Sequence, residues 1–215
     1  MGDWCTGIGS RDTPKEICTL MTRFARLQRR RIRSGGAEAA DESFESNWNL
    51  LPYLPEPAFR QKRGWHRYRE EHLEFADTIL AQVFPYPIRK AKTLAFFRRN
   101  VFQVLGLCSS VNEIVLSDFV ICWTPDGAVC MADYELGVTG GTGIAINIAD
   151  LYNVPVYNLR RNDHHAKIRK WCRKRENQLG LRFEHTSGVH FYANTGEIFD
   201  PGTFGEGAGL SILAG

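Results

Sequence analysis

Thr139-Gly140-Gly141-Thr142-Gly143-Ile144-Ala145-Ile146-Asn147-Ile148-Ala149-Asp150-Leu151 sets a tight glycine turn directly against an apolar, helix-like run. Glycines before a helix start leave backbone N–H groups free and let an anion approach closely. Upstream, Phe119-Val120-Ile121-Cys122-Trp123 is an unbroken apolar run, of the kind buried on both faces of a parallel sheet. Downstream, Val154-Pro155-Val156-Tyr157-Asn158-Leu159 reads as a further strand, with Pro155 at its start. Strand, turn, helix and strand in succession make a parallel crossover unit.

The same pattern runs back to the start of the chain. Trp4 to Ile8 reads as the first strand and ends in the turn Gly7-Ile8-Gly9-Ser10-Arg11. Thr13 and Pro14 then open a helix whose Ile17, Leu20, Met21, Phe24 and Leu27 share one face. A short strand around Ile32 leads into Ser34-Gly35-Gly36-Ala37, and a helix is expected over Ala37 to Trp48. Leu50 to Leu54 reads as a third strand, weakened by Pro52 and Pro55. Long helices are expected over Trp65 to Phe84 and Ile88 to Leu107, and a hairpin-like insertion over Ala128 to Leu136. Helices over Gly141 to Tyr152 and Asn162 to Leu179 follow. His190 to Asp200 resembles a hairpin around Asn194-Thr195-Gly196, and a glycine-rich tail runs on from Gly202. The expected fold is α/β: a Rossmann-like parallel sheet with helices on both faces, plus a C-terminal basic helix and a hairpin and Gly-rich tail. Residues 1–159 form the nucleotide-binding core in this reading, and 160–215 an extension.

A net charge of +3 over 215 residues excludes a molecule that binds nucleic acid by its overall field. Positive charge is instead concentrated between Arg160 and Arg175, where Asp163 is the one acid. The six cysteines include no Cys-x-x-Cys pair, and no His-x-x-x-His pair stands on an expected helix. The expectation is a reducing, cytoplasmic setting with no disulfide framework, no metal and no cofactor. No apolar stretch approaches transmembrane length, and the opening residues carry no basic-then-apolar signal, so no membrane is expected as a partner.

The candidate ligand-binding residues cluster at strand ends. Gly9, Ser10 and Arg11 offer two small residues and a guanidinium that can grip phosphate bidentately. Ser34, Gly35 and Gly36 form a second anion-accepting turn, and Asp41 can accept ribose hydroxyls or complement a helix dipole. Arg99 and Gln103 fall on one helix face, with Asn100 beside them, and can reach a phosphate or a base. Trp123 and Thr124 end the central strand, where an indole can stack on a base or fill the core. Gly140, Gly141 and Thr142 make the most specific turn, although no Lys-Ser/Thr follows as a Walker A loop requires.

In this order, Thr6 to Arg11, Arg33 to Ala37 with Ala40-Asp41, Arg99-Asn100 with Gln103 to Gly106, Val120 to Thr124, Gly140 to Gly143 and Val154 to Leu159 resemble the SLOG superfamily. That Rossmann-like group includes DprA, the LOG phosphoribohydrolases and YspA-type proteins often found in phages. The resemblance implies a small nucleotide-derived ligand: an adenine nucleotide or an ADP-ribose or NAD-derived signal, linear or cyclic. A stand-alone, phage-type member implies a sponge that sequesters such a signal against host defence. LOG enzymes look like Pro-Gly-Gly-x-Gly-Thr-x-x-Glu at the second glycine turn, and here Asn147 stands where the glutamate would be. Asparagine exchanges no proton near neutral pH, so binding without turnover is expected and no catalytic residue is assigned. The alternative is a nucleotide N-glycosidase in which Asp150, Asp133 or Glu135 substitutes. A second alternative is DprA-like single-stranded DNA binding through the basic helix. The aromatic-rich helices before the central strand lead to the expectation of a homo-oligomer.

Overall fold

The computed structural model describes residues 3–181 and the short strands Phe191–Tyr192 and Ile198–Phe199. Two compact units emerge, Met1–Arg169 and Lys170–Gly215. The first holds a five-stranded, all-parallel sheet in the order β3-β2-β1-β4-β5. Its strands are β1 (Trp4–Gly7), β2 (Arg31–Ser34), β3 (Leu50–Pro52), β4 (Val120–Cys122) and β5 (Val156–Asn158). Between them run α1 (Lys15–Leu27), α2 (Ala40–Ser43), α3 (Glu70–Val83), α4 (Ala91–Leu105) and α5 (Thr142–Leu151). α6 (Asn162–Leu179) follows β5. In the second unit β6 (Phe191–Tyr192) and β7 (Ile198–Phe199) pair antiparallel, as the hairpin reading expects. The turn at Asn194 to Gly196 and the glycine-rich tail lie outside the described residues.

Helices cover both faces of the sheet, and β1 shows how. Successive strand residues point to opposite sides. The Thr6 hydroxyl donates to the Gln103 carbonyl of α4 at 2.6 Å. The next residue, Gly7, faces the other way: a β-carbon there would meet the Phe44 ring at 2.4 Å. A glycine in the central strand thus lets the 3-10 turn Phe44–Ser46 press against the sheet. β4 is buried throughout, as its unbroken apolar run requires. α3, α4 and α5 close the other side around Val101, Phe102, Ile144 and Ile148. There Phe102 stacks on Tyr68 with ring centroids 5.0 Å apart.

Three element readings are corrected. The helix expected over Ala37 to Trp48 shrinks to α2 and the 3-10 turn after it, because Ala39 turns the chain with φ 60° and ψ −102°. The helix expected from Trp65 starts only at Glu70. Trp65 instead forms a parallel bridge with Tyr53 beside the β3 edge, where its amide donates to the Pro52 carbonyl at 2.7 Å. The insertion after β4 is no hairpin. It is a loop with one 3-10 turn, Met131–Asp133, tied down by a hydrogen bond from the Met131 amide to Asp150.

Among the described residues no helix is long and apolar enough to cross a membrane, and no cluster of side chains is suited to a metal. All six cysteines are free thiols.

Candidate functional site

Strand order fixes where a ligand can sit. From β1 the chain moves outward to β2 and β3, then crosses back to lay β4 and β5 on the other side. At such a switch point the loops after neighbouring strands diverge and leave a crevice at their carboxyl ends. A cleft of about 500 Å³ lies there, a size that fits a small-molecule ligand.

Ten of the fifteen sequence candidates line it: Gly9, Ser10, Arg11, Asp41, Arg99, Asn100, Gln103, Gly140, Gly141 and Thr142. They arrive from the β1–α1 turn, α2, α4 and the start of α5. Gly140 has a φ of 69°, and a β-carbon added there would meet nothing within 4 Å, so the turn stands open. Gly141 precedes the first turn of α5, where the Gly143 and Ile144 amides bond back to the Gly140 and Gly141 carbonyls at 3.2 and 3.3 Å, and where the positive dipole end favours an anion. The Asn100 side chain pins this turn, its amide donating to the Gly141 carbonyl at 2.9 Å.

Five candidates lie off the cleft, and each has a structural occupation. Ser34 is fully buried and its hydroxyl donates to the Asp41 carbonyl at 3.3 Å. Gly36 turns the chain with φ 69°, under Leu54. Gly35 sits beneath the Arg99 guanidinium. Trp123 is packed into the core at 8% exposure, so its indole fills the interior. Thr124 is buried, its hydroxyl accepting from the Asn158 amide at 2.7 Å.

Ile8, Asp12, Ala37, Thr93, Phe96 and Phe97 also line the cleft, and none of them is a candidate by sequence. Apolar spacing alone assigns the two phenylalanines to the core. Phe97 belongs to the core cluster and Phe96 packs against it, so both edge the cleft as well as the core.

The electrostatics of the cleft centre on a buried pair. Arg99 Nη1 donates to Asp41 Oδ2 at 3.1 Å, with both side chains under a tenth exposed. The Ala37 amide donates to the same oxygen at 3.2 Å. Asp41 therefore holds the second glycine turn and the α4 arginine together. Beyond it, the Asp126 carboxylate accepts from the Thr139 hydroxyl, which in turn accepts from the Glu135 amide at 2.8 Å. This latch anchors the loop that carries Gly140. Burial pushes the Asp126 carboxyl up, but hydrogen bonds from Thr124, Thr139 and the Ala128 amide outweigh it and hold the group below its ordinary value.

No family model, no curated protein and no solved structure matches the chain.

Its chemistry is read from its own residues. Asn147 lies off the cleft at 2% exposure, and its amide donates to the Val83 carbonyl at 3.0 Å, tying α5 to α3. The three acids considered as substitutes also lie off it. Asp150 accepts from the Met131 amide, Asp133 pairs with Arg161 at 2.9 Å, and Glu135 is exposed. The carboxylates of the cleft are Asp12 and Asp41.

Proposed function

We propose that this cleft receives a small nucleotide-derived ligand, an adenine nucleotide or an ADP-ribose or NAD-derived molecule, and holds it without turnover. One observation carries the reading. Two glycine-bearing turns, the N-terminal end of α5 and Arg11 converge on a single cleft at the strand switch point. Backbone N–H groups at a helix start and a guanidinium are the groups that hold phosphate. Phe96 and Phe97 add apolar surface for a base or sugar face. The resemblance of the motifs to SLOG proteins points the same way, and it makes sequestration of a signalling nucleotide the cellular role proposed here.

What supports binding without turnover is the engagement of the buried carboxylate of the cleft; the other, Asp12, is exposed at the β1–α1 turn, where the Ser10 hydroxyl donates to it at 3.5 Å. Asp41 is engaged by Arg99 and by the Ala37 amide, and Asn147 supports packing. Thermal-shift titration with AMP, ADP-ribose and NAD, followed by denaturation and mass spectrometry, tests the reading. A melting shift with the ligand recovered intact supports it. A released free base refutes the passive part, and no shift with any of the three refutes the ligand class.

Asp41 also favours a second reading, because a buried carboxylate in the cleft is what N-glycosidic cleavage needs. Free base released from AMP by the wild type, and abolished by Asp41→Asn, would select it.

A further inference from the structure

The least satisfied group in the cleft is Gln103. It lies on α4 with no measurable exposure, and neither Oε1 nor Nε2 of its side-chain amide has a hydrogen-bond partner. Its backbone carbonyl is engaged instead, by the hydroxyls of Thr6 at 2.6 Å and Ser117 at 3.5 Å. This places the residue over β1 at the cleft floor, where it forms part of the lining. A buried primary amide with both its donor and its acceptor unmet is costly, and folding alone gives no reason to keep one. Leucine or methionine would fill the same space without that cost.

The kind of ligand follows from the amide. A phosphate accepts only, so it would satisfy Nε2 and repel Oε1. The two atoms lie side by side in one plane, and they match a rigid edge that carries a donor next to an acceptor. Nucleobases have such edges. Adenine presents N6–H beside N7, and beside N1 on its other edge; guanine shows two acceptors, O6 and N7, on one side but sets O6 beside N1–H on the other. The amide therefore calls for a base edge, and the adenine comes from the nucleotide reading above. The Phe96 and Phe97 rings in the same lining suit a planar aromatic group better than a hydrated sugar.

We infer that Gln103 is the base-reading residue of the cleft, forming a paired hydrogen bond with the edge of an adenine. This rests on the nucleotide reading above, which supplies the adenine, and names the residue that reads it.

The test compares AMP, GMP and ribose 5-phosphate on the wild type, Gln103→Met and Gln103→Glu, by calorimetry and thermal melting. In the wild type AMP binds more tightly than ribose 5-phosphate, because the base adds the paired contact. Gln103→Met weakens AMP about 10- to 100-fold. It leaves ribose 5-phosphate within about twofold and raises the melting temperature of the empty protein, because an unmet polar group has gone. Gln103→Glu moves the preference toward GMP, since two acceptors face the adjacent N1–H and N2–H donors of guanine. Equal losses for AMP and ribose 5-phosphate would overturn the inference, because the amide would then serve the sugar or the cleft's shape. Unchanged AMP binding in both variants would overturn it while leaving the ligand class standing. A wild type that binds none of the three removes the ligand class and this inference together.

Discussion

The Arg99 guanidinium lies against Gly35 so closely that a β-carbon at position 35 would sit 0.9 Å from Nη1. Arg99 is on α4 and Gly35 follows β2, so the absence of a side chain at one position sets the path of a charge at the other. The guanidinium reaches Asp41 only by passing over that bare backbone.

Gly35→Ala should therefore act through Arg99. The φ at this position is outside the left-handed region, so alanine meets a steric obstacle and no backbone strain. The guanidinium must swing away and leave Asp41. A loss of about 2–4 kcal/mol is expected by urea denaturation, together with weaker nucleotide binding. In an Arg99→Ala background the same substitution should cost less than about 1 kcal/mol, and this double-mutant cycle checks the mechanism.

Ala39 holds φ 60° and ψ −102° at the start of α2. An L-residue there carries roughly 1–3 kcal/mol of strain. Glycine adopts that geometry freely but loses roughly 0.5–1 kcal/mol of backbone entropy on folding. Ala39→Gly should stabilise the protein by about 1 kcal/mol, seen as a higher urea midpoint with an unchanged slope.

Asn147→Glu would put a carboxylate at the position where the LOG motif has one, yet in this fold it would be buried and would lose the bond to Val83. The expected result is a destabilisation of about 2–4 kcal/mol and no release of base from AMP. Hydrolytic activity in this variant would contradict the placement of Asn147 away from the ligand.

The Asp126 latch gives a pH dependence. Its carboxyl is held below the ordinary 3.8 in the folded protein, so its contribution is complete above that value and is lost as the pH falls further. Hydrogen exchange in the 126–140 loop should accelerate as the pH drops through and below that value, beyond the intrinsic pH effect on exchange. Asp126→Asn should remove the extra acceleration.

Thiol labelling reports on packing. Burial pushes the Cys5 thiol up to about 12 and the Cys108 thiol up to about 11. At pH 8 in native buffer, iodoacetamide should modify the half-buried Cys18 and Cys130 well before either, as read by peptide mass spectrometry.

The sheet is legible in the sequence because β4 is an uninterrupted apolar run, β1 and β2 each end in a glycine turn, and helical patterns separate most of the strands. Helix lengths are less so. Nothing in Ala37 to Trp48 announces the positive φ at Ala39, and the apolar spacing from Trp65 continues through residues that the β3 edge recruits as an added bridge. Two of the three glycine turns, at Gly9 and at Gly140-Gly141, mark where the cleft forms, whereas Gly35 and Gly36 serve the packing of Arg99 and Leu54. Trp123 and Thr124 end the right strand but turn inward, and single-residue direction at a strand end depends on packing that periodicity does not carry. Phe96 and Phe97 escape notice as cleft residues because they also belong to the interior, which is how an aromatic pair in an amphipathic helix reads.

β1 pairs with β2 through Thr6 and Arg33, and with β4 through Thr6 and Val120. Its second neighbour is thus encoded far later than its first. On a ribosome, the first three strands can assemble while one flank of the middle ribbon still waits for a mate. The cleft has no far wall until the segment carrying Gly140 has also emerged. Fragments ending before Val120 should therefore clump through that bare flank, with no hollow yet built to fill.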